Sequence, residues 1–392
     1  MKKWYLVLVA VILVSSLLVV SCSTATPTPS APATTAPPAT TAAPATTPAP
    51  TATTPAAPTK VFKFTYSNFF PATHLNSILA EMWINEIKTR TNGAVEISYF
   101  PGGALTAGAK IYDGVVQGIS HIGMSVASYT AGRFPGAELI DMPHAYPSGW
   151  VATRVANDFY NMFKMPEFNE TQVLYFHAHG PGVVFTTEKP VRKLEDMKGL
   201  VLRSTGVGAK VATALGASGY AAAQGEAYEL MSKGVIQGSL SPREVLKGWK
   251  QAEVVKYVTN NLDVGYTATM FVVMNKTAWN SLPTNLQNII LEVSEKYAGY
   301  HGMVWTDYDK QAMDFFVTFP GREVINQDAA ERARWVAAVK PLVDGYIAEL
   351  KGKNLPADEW EKYINERVKY WTARAPTAEE CSTWVAANVK KP

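Results

Sequence analysis

Residues 198–216 constrain the fold more than any other part of this sequence. The apolar run 199–202 predicts a short buried strand, and Arg203 follows it directly. A serine–threonine pair is then suited to cap a helix, whose apolar residues recur at helical spacing until Gly216 ends it. The sequence therefore predicts a strand, a tight loop and a helix, with an arginine at the carboxyl end of the strand.

Two interpretations of Arg203 follow from this position. In open α/β sheets, ligands bind at the carboxyl ends of the strands, where helix N-termini also lie. A planar guanidinium at that place is suited to hold a carboxylate by two parallel hydrogen bonds. The alternative is a structural ion pair with an acidic side chain of the protein, and position alone does not decide between the two.

The first 22 residues are typical of an exported lipoprotein. Two lysines follow Met1, residues 4–20 are almost wholly apolar, and a small residue precedes Cys22. This arrangement resembles a bacterial lipoprotein signal, in which the cysteine is lipidated and becomes the new N-terminus. The alternative is an uncleaved membrane helix, because residues 4–20 approach spanning length. We expect the rest of the chain outside the cytoplasm, anchored by lipid to the outer face of the cytoplasmic membrane.

Residues 23–59 contain only serine, threonine, alanine and proline. Such a segment cannot form a core, and its prolines keep it extended, so we expect a linker between the anchor and a folded domain. The net charge of +3 over 392 residues gives no reason to expect a nucleic-acid partner. The other cysteine is Cys381, so lipidation of Cys22 would leave no intramolecular disulfide.

From residue 60 onward, short strand patterns alternate with helical patterns, which predicts an α/β fold. The patterns include a strand at 234–239 and a helix at 245–254, whereas 131–147 is predicted to be mostly loop. A helical pattern without proline then runs from about 283 to 316. Such a helix is longer than one small domain needs, so we expect it to span two lobes.

Motifs that would indicate catalysis are missing from the sequence. It contains no nucleophile elbow, no phosphate-binding loop and no dinucleotide-binding glycine pattern. His177 and His179 would share one face of a strand, but no cysteine or acidic residue accompanies them as a further metal ligand. We therefore predict neither an enzyme nor a metal or cofactor site. One histidine is expected in the core, and His179 is expected to donate a hydrogen bond to a ligand.

Residues 234–243 form a second informative segment. The predicted strand ends at Gly238, and Ser241 and Arg243 lie in the loop that follows. If this strand neighbours the one before Arg203, the loop faces the same cleft and Arg243 is a second cation there; the alternative is an exposed surface arginine. Large side chains are candidates for the walls of the cleft, although each taken singly is more often a core residue: Tyr228, Trp249 and Tyr266 near these loops, and Phe69, Phe70, Met124 and Trp150 in the first part of the chain.

Four segments, in a fixed order along the chain, match motifs of a single protein family. TNGAVEISYFPGGAL at 91–105 is similar to one motif of that family, and EKPVRKLEDMKGLVLRSTG at 188–206 to another. EAYELMSKGVIQG at 226–238 and EVVKYVT at 253–259 match two further ones. Each segment is common alone, but the ordered set is specific and covers about residues 60–320. In this set the chain resembles the extracytoplasmic solute receptors (DctP type) of tripartite ATP-independent periplasmic (TRAP) transporters.

The resemblance implies a two-lobed, periplasmic-binding-protein-like α/β receptor with hinge strands and a long helix across both lobes. We expect residues 60–178 and 268–300 in lobe I, and 179–267 and 301–392 in lobe II. The partners it implies are a small organic acid and the membrane permease subunits of the transporter. A lipoprotein sensor that passes its closed state to a signalling partner is the alternative.

The resemblance also implies that Arg203 pairs with the carboxylate of the ligand. Many members carry another arginine where this chain has Gly182, and an asparagine where Ser241 stands. The patterns for sialic acid and simple C4-dicarboxylates are therefore not met, and His179 and Arg243 are candidates for replacement polar contacts. We expect a monocarboxylate with an apolar or aromatic body.

Overall fold

The computed structural model describes residues 60–390. These residues fold into two mixed β-sheets flanked by helices. The predicted lipidation site Cys22 and the predicted linker 23–59 lie outside the described residues. Within residues 60–390, no helix combines the length and the apolar character needed to cross a membrane.

The first sheet has five strands in the order β2-β1-β3-β10-β4. Its central strand, with the mostly apolar sequence IGMSV, is buried along its whole length. The β2-β1-β3 part is parallel. Strand β10, which comes last of the five in the chain, is antiparallel to both of its neighbours, β3 and β4. The strands are β1 (Phe62–Asn68), β2 (Val95–Phe100), β3 (Ile122–Val126), β4 (Thr171–Ala178) and β10 (Thr269–Asn275).

The second sheet has six strands in the order β11-β9-β5-β8-β6-β7. The β8-β6-β7 part is parallel, so the carboxyl ends of these strands meet at one edge. The strands are β5 (Val183–Thr186), β6 (Val201–Ser204), β7 (Ser218–Ala221), β8 (Gly238–Ser241), β9 (Tyr257–Asn260) and β11 (Glu323–Asn326). Each has only four residues, which makes this sheet narrower along the strands than the first.

Twelve α-helices pack around the sheets within residues 60–390. Side chains cap several of them: the His74 ring accepts a hydrogen bond from the Asn76 backbone at the start of the first helix, and Ser148 caps the fourth. The helices are α1 (Leu75–Arg90), α2 (Ile111–Val116), α3 (Pro135–Asp141), α4 (Gly149–Phe163), α5 (Gly206–Ala214), α6 (Ala227–Ser232), α7 (Val245–Gly248), α8 (Lys276–Asn280), α9 (Thr284–Phe316), α10 (Ala329–Gly352), α11 (Ala357–Thr372) and α12 (Ala378–Asn388).

The two sheets are the cores of two lobes, and the chain passes between them more than once. It leaves the first sheet after Ala178, enters the second at Val183, and returns to the first at Thr269. The 33-residue helix α9 packs against α1 and α4 of the first lobe and against α7 of the second. The predicted α/β class and the predicted long helix are therefore confirmed.

The C-terminal helices differ from the predicted assignment of residues 301–392 to lobe II. Helix α11 packs against α4 of the first lobe, where the Trp360 ring meets that of Phe159 at a centroid distance of 5.5 Å. On the same face, the ring of Trp371 meets that of Trp150 edge-on at 5.4 Å. Large aromatic areas buried in this way fix the end of the chain to lobe I.

Candidate functional site

A narrow cavity lies between the two lobes, at the carboxyl ends of β6 and β8. Its volume is about 30 Å³. A void of that size holds two or three water molecules at most, because one water needs roughly 10–15 Å³. The structure is therefore closed, and any organic ligand requires the lobes to part or the side chains at the cavity to turn. The residues that line the cavity include Phe69, Phe70, Tyr129, His179, Arg203, Thr205, Gln224, Ser241, Glu244, Trp249, Tyr266 and Trp305.

Arg203 is the cation at this cavity, and only 1% of its surface is exposed. It lies within β6 rather than after it. Its Nε and Nη2 groups donate to the Ala222 carbonyl oxygen at 3.0 and 2.7 Å. Its Nη1 group donates to the side-chain oxygen of Gln224 and, at 3.2 Å, to Oγ of Ser241. All of these acceptors are neutral.

Among the described residues, Arg203 is buried without an anionic partner. No acidic side chain within residues 60–390 forms a salt bridge with it, so the structural ion pair left open by the sequence is not formed there. Burial lowers the pKa of the Arg203 guanidinium, because the charged form loses hydration. An anion that entered the cavity would restore the interaction that water no longer supplies.

Ser241 reaches Arg203 because β8 and β6 are neighbours. The two strands pair in parallel, with Leu202 opposite Gly238 and Arg203 opposite Ser239. The predicted strand was placed at 234–239, but residues before Gly238 form a turn and the strand extends to Ser241. The predicted position of the strand was therefore wrong by several residues, and its pairing with β6, which the sequence left open, is present in the structure.

Tyr266 occupies the space beside Gly182. A Cβ atom built on Gly182 would lie 1.9 Å from Cε1 of Tyr266, so any side chain at position 182 would have to displace this ring. The Tyr266 hydroxyl donates to the Leu240 carbonyl oxygen at 2.7 Å. Burial raises the pKa of Tyr266, and its phenol remains neutral. A neutral ring therefore stands where an arginine at position 182 would have needed room.

His179 lines the cavity but cannot act as the donor that the sequence predicted. Its Nδ1 group donates to the Gly180 carbonyl oxygen at 2.5 Å. Burial lowers the pKa of His179 to about 4, so the ring is neutral near pH 7 and carries a single N–H. That N–H is already used, and Nε2 can only accept a hydrogen bond.

His177, by contrast, is a core residue. It is fully buried, its Nδ1 accepts a hydrogen bond from Trp305 Nε1 at 3.0 Å, and its ring stacks on that of His301 at 4.1 Å. Burial, followed by the charges of neighbouring histidines, lowers the pKa of His177 well below its usual value. The pair is thus a neutral packing contact between β4 and α9.

An aromatic cluster from both lobes closes over the arginine. The rings of Phe69 and Phe70, from the first lobe, stack at 4.3 Å. The Trp249 ring, from the second lobe, lies nearly parallel to Phe69 at 6.2 Å, and Tyr129 meets Phe69 edge-on at 5.6 Å. The cluster offers flat apolar surfaces beside the buried cation.

Three polar groups at the cavity have no hydrogen-bond partner within residues 60–390. They are the side-chain N–H₂ group of Gln224, the hydroxyl of Thr205 and the indole N–H of Trp249, and all three are buried. Buried polar groups are normally paired, so a group without a partner needs an explanation. Thr205 stands at the N-cap position of α5, yet its side chain makes no capping bond.

Four side chains predicted for the cleft do not line this cavity. Met124 is buried inside the first sheet, opposite Val272 of β10. Trp150 is held in the core of the first lobe by its edge-on contact with Trp371 and lies away from the cleft. In each case packing within one lobe holds the side chain.

The other two, Tyr228 and Arg243, are directed elsewhere by polar partners. The Tyr228 hydroxyl donates to Oε2 of Glu253 at 2.8 Å on the surface of the second lobe. Arg243 Nη2 lies 3.9 Å from Oδ2 of the buried Asp309, and Arg243 borders a different cavity. Arg243 is therefore not a second cation beside Arg203.

Gln224, Tyr129 and Thr205 belong to the site but were not predicted. Gln224 follows an alanine-rich run that has no pattern of its own, and only the fold brings it to Arg203. Tyr129 comes just after β3, at the carboxyl end of a buried strand, and that position is the signal that could have indicated it.

Residues 66–350 match the family described as bacterial extracellular solute-binding protein, family 7 (DctP). The chain belongs to this family. A solved structure of a TRAP periplasmic solute-binding protein from Bordetella bronchiseptica, with bound (R)-mandelate and (S)-mandelate, superimposes with a TM-score of 0.74 at 27% identity, covering 79% of this chain and 99% of that one. The predicted resemblance is therefore confirmed, and the two-lobed fold with it.

Two curated relatives of this family 7 protein have different stated ligands. The C4-dicarboxylate-binding periplasmic protein DctP of Rhodobacter capsulatus is 21% identical over 283 residues, which cover 68% of this chain and 81% of that protein. The monocarboxylate 2-oxoacid-binding periplasmic protein of Nostoc sp. (strain PCC 7120) is 26% identical over 219 residues, 54% of this chain and 59% of that protein. The family 7 protein is an extracytoplasmic solute-binding receptor of the TRAP type.

Proposed function

We propose that this receptor captures a monocarboxylate with an apolar or aromatic body, whose carboxylate pairs with Arg203. The observation that carries the proposal is a fully buried guanidinium whose partners are all neutral. A buried cation of this kind is costly unless an anion joins it, and a planar carboxylate matches its geometry. The hydroxyl of Ser241, which accepts from Arg203, keeps its own proton for the same carboxylate.

The rest of the cavity favours one carboxylate over two. Arg243 faces away, and position 182 has no room for a second arginine. The other charged group at the cavity is Glu244, whose carboxylate would repel a second anion. A C4-dicarboxylate would therefore place its second charge among aromatic rings without a cation.

The body of the ligand is expected to lie among the aromatic side chains. Phe69 and Phe70 face the cavity from one lobe and Trp249 from the other, so a ring between them would contact both lobes. Flat apolar walls that meet only on closure give the ligand its preference for the closed state. Support comes from two relatives, one solved with bound mandelate and one named for monocarboxylate 2-oxoacids.

Capture would serve transport without chemical change. The closed receptor would deliver its ligand to the membrane permease of a TRAP transporter, as the family implies. We also propose that Cys22 carries the lipid that holds the receptor at the membrane and that residues 23–59 are the linker. Mass spectrometry of the intact exported protein, before and after removal of ester-linked lipid, tests the anchor separately from binding.

The ligand class is tested by releasing whatever the receptor retains. Protein purified under native conditions is denatured, and the released small molecules are identified by mass spectrometry. The proposal predicts acids with one carboxylate and an apolar or aromatic body, and it predicts that (R)-mandelate binds while succinate does not in calorimetry. Preferential binding of succinate, or release of an uncharged sugar, would contradict it.

A further inference from the structure

The hydrogen bonds of Arg203 leave little room for a carboxylate in the closed structure. A guanidinium has five N–H donors. Two of them, on Nε and Nη2, go to the carbonyl oxygen of Ala222, and both on Nη1 go to Gln224 and Ser241. One N–H on Nη2 remains. A carboxylate that is to accept two parallel bonds from Nη1 and Nη2 must therefore displace one of the Nη1 acceptors.

The orientation of the Gln224 amide is fixed by its partner. Because Nη1 of Arg203 can only donate, the atom of Gln224 that faces it is the carbonyl oxygen. The N–H₂ end then points away from Arg203, and it is buried without a partner within the part of the chain that the structure describes. Gln224 as a whole is 8% exposed. The carbonyl oxygen of this amide is thus hydrogen-bonded, whereas within residues 60–390 its N–H₂ group is not.

Gln224 is the acceptor that can leave. The Ala222 carbonyl belongs to the backbone, and Ser241 stands at the end of β8, where its short side chain has little reach. Gln224 lies in a turn between β7 and α6, on a side chain with three rotatable bonds. Its backbone N–H donates to the hydroxyl of Tyr129 at 3.0 Å, which holds the main chain while leaving the side chain free to turn.

We infer that Gln224 is a placeholder for the carboxylate of the ligand. Without ligand, its neutral carbonyl oxygen occupies the position beside Nη1 of Arg203 and satisfies the buried cation. The ligand carboxylate displaces that oxygen, and the Gln224 side chain turns away. This inference rests on the proposed pairing of Arg203 with a carboxylate.

Such a placeholder would determine specificity as well as affinity. A neutral amide oxygen is a weaker acceptor for a guanidinium than a carboxylate, so an anion displaces it. A ligand that offers only a neutral carbonyl gains nothing by the exchange. The receptor would thereby reject amides and esters of the acids that it binds, at a cost of some affinity for the acids themselves.

Two substitutions at position 224 are expected to change the affinity for the ligand in opposite directions. Gln224→Glu has nearly the same shape but supplies a carboxylate that pairs with Arg203 permanently. Gln224→Ala removes the competitor. With (R)-mandelate as the probe in calorimetry, we expect Gln224→Glu to weaken binding about 100-fold or more, and Gln224→Ala to tighten it about three- to tenfold. Gln117→Glu, which adds the same charge at an exposed position in the first lobe, should bind like wild type.

A measurement without ligand separates the inference from folding effects. In the ligand-free receptor, Gln224→Glu alone should raise the melting temperature. In a receptor that already carries Arg203→Ala, the same substitution should not raise it. If Gln224→Ala weakens mandelate binding tenfold, or Gln224→Glu binds like wild type, Gln224 is not a placeholder even though the receptor binds carboxylates. If wild type binds neither mandelate nor any other monocarboxylate, the proposed function itself fails and this inference with it.

Discussion

Gly182 shows how one missing side chain shapes the site at the scale of single residues. Its Cα lies so close to Tyr266 that a Cβ would overlap the ring at 1.9 Å from Cε1 and 2.6 Å from the hydroxyl oxygen. The ring in turn is fixed by the bond from its hydroxyl to the Leu240 carbonyl. Glycine at 182 and tyrosine at 266 therefore form one arrangement, which makes this wall of the cavity neutral.

Replacing Gly182 with alanine tests that arrangement. The added methyl group would push Tyr266 from its position, and overpacking of this kind costs about 1–3 kcal/mol. We expect a lower melting temperature in calorimetry and weaker binding of (R)-mandelate. The matched control is Gly345→Ala at an exposed position of helix α10, where a Cβ has open space and stability should rise by up to ~1 kcal/mol. A Gly182→Ala receptor as stable as wild type would show that the ring adapts freely.

The sequence marks some residues at the cavity by a local pattern and leaves others unmarked. Arg203 lies in β6, a few residues before the start of α5, and the sequence shows both the strand and the helix start. Gln224 carries no such mark, because its place beside Arg203 depends on how β7 and the following turn are laid against β6. The donor role expected of His179 was wrong, because the sequence gives no indication that the neighbouring Gly180 carbonyl takes its N–H.

At the scale of elements, a stack of two neutral histidines joins α9 to the first sheet. His301 donates from Nδ1 to Oδ1 of Asn76 at 2.8 Å and accepts at Nε2 from the Tyr175 hydroxyl at 3.3 Å. Burial lowers the pKa of His301 to about 3. The ring stays neutral in the folded protein, whereas in the unfolded chain it takes up a proton below about pH 6.5.

Acid should therefore destabilise the receptor partly through His301. The pKa of His301 is lower in the folded protein than in the unfolded chain. Its contribution to the free energy of unfolding is therefore complete above about pH 6.5 and is lost as the pH falls toward 3. Between pH 6.5 and 5 the loss is about 2 kcal/mol for one such group. Unfolding by denaturant at several pH values measures this effect. Between pH 6.5 and 5, we expect the free energy of unfolding of His301→Gln to fall by about 2 kcal/mol less than that of wild type.

Tyr175→Phe provides the control for the histidine prediction. It removes the hydroxyl bonded to His301 but keeps the titrating ring. It should lower stability at every pH while preserving the slope of stability against pH. An unchanged slope in His301→Gln would mean that this histidine does not titrate differently in the folded and unfolded states.

Elements were predictable in proportion to their length. The pattern of α9 extends over nine turns, and its predicted and observed limits agree closely. The predicted helix at 245–254 shrinks to α7, because the chain turns at Trp249 and Lys250 adopts a positive φ of 57°. The region 131–147, predicted as loop, contains α3. Four-residue strands such as β7, whose residues are all exposed, have too little apolar pattern to be found.

At the scale of the whole molecule, direct bonds between the lobes hold the closed state. His74, at the start of α1 in the first lobe, lies with Nε2 3.0 Å from Oε2 of Glu244 in the second. Both side chains are almost completely buried. The Glu244 backbone also donates to Oδ1 of Asp309 on α9 at 2.9 Å, so the long helix takes part in the same contact. Opening the lobes must break this bond.

Glu244→Gln should make the ligand-free receptor open more often. The substitution keeps the shape of the side chain but weakens a buried bond that involves charge, and such bonds contribute about 1.5–3 kcal/mol. We expect backbone amides at 240–249 and at 69–70 to exchange with deuterium about tenfold faster than in wild type. Glu253→Gln is the control, since within residues 60–390 the Glu253 side chain accepts its hydrogen bond only from Tyr228 of its own lobe. Equal exchange in both variants would contradict a role for this contact in closure.

The two-lobed architecture was predictable because the family motifs occur in order along the chain. The packing of α11 on the first lobe was not, because it depends on aromatic contacts between segments about 200 residues apart. For the same reason the closed cavity, which needs both lobes at once, is visible only in the structure. The pairing of the ligand carboxylate with Arg203, in contrast, can be tested by substituting a single side chain.

That test is calorimetric titration of (R)-mandelate into wild type and Arg203→Ala. Loss of the guanidinium removes the charged partner of the carboxylate, so we expect the affinity to fall at least tenfold. Arg192→Ala, which removes an exposed arginine paired with Glu323 at the surface, should leave the affinity unchanged. Equal affinity of Arg203→Ala and wild type would contradict the account.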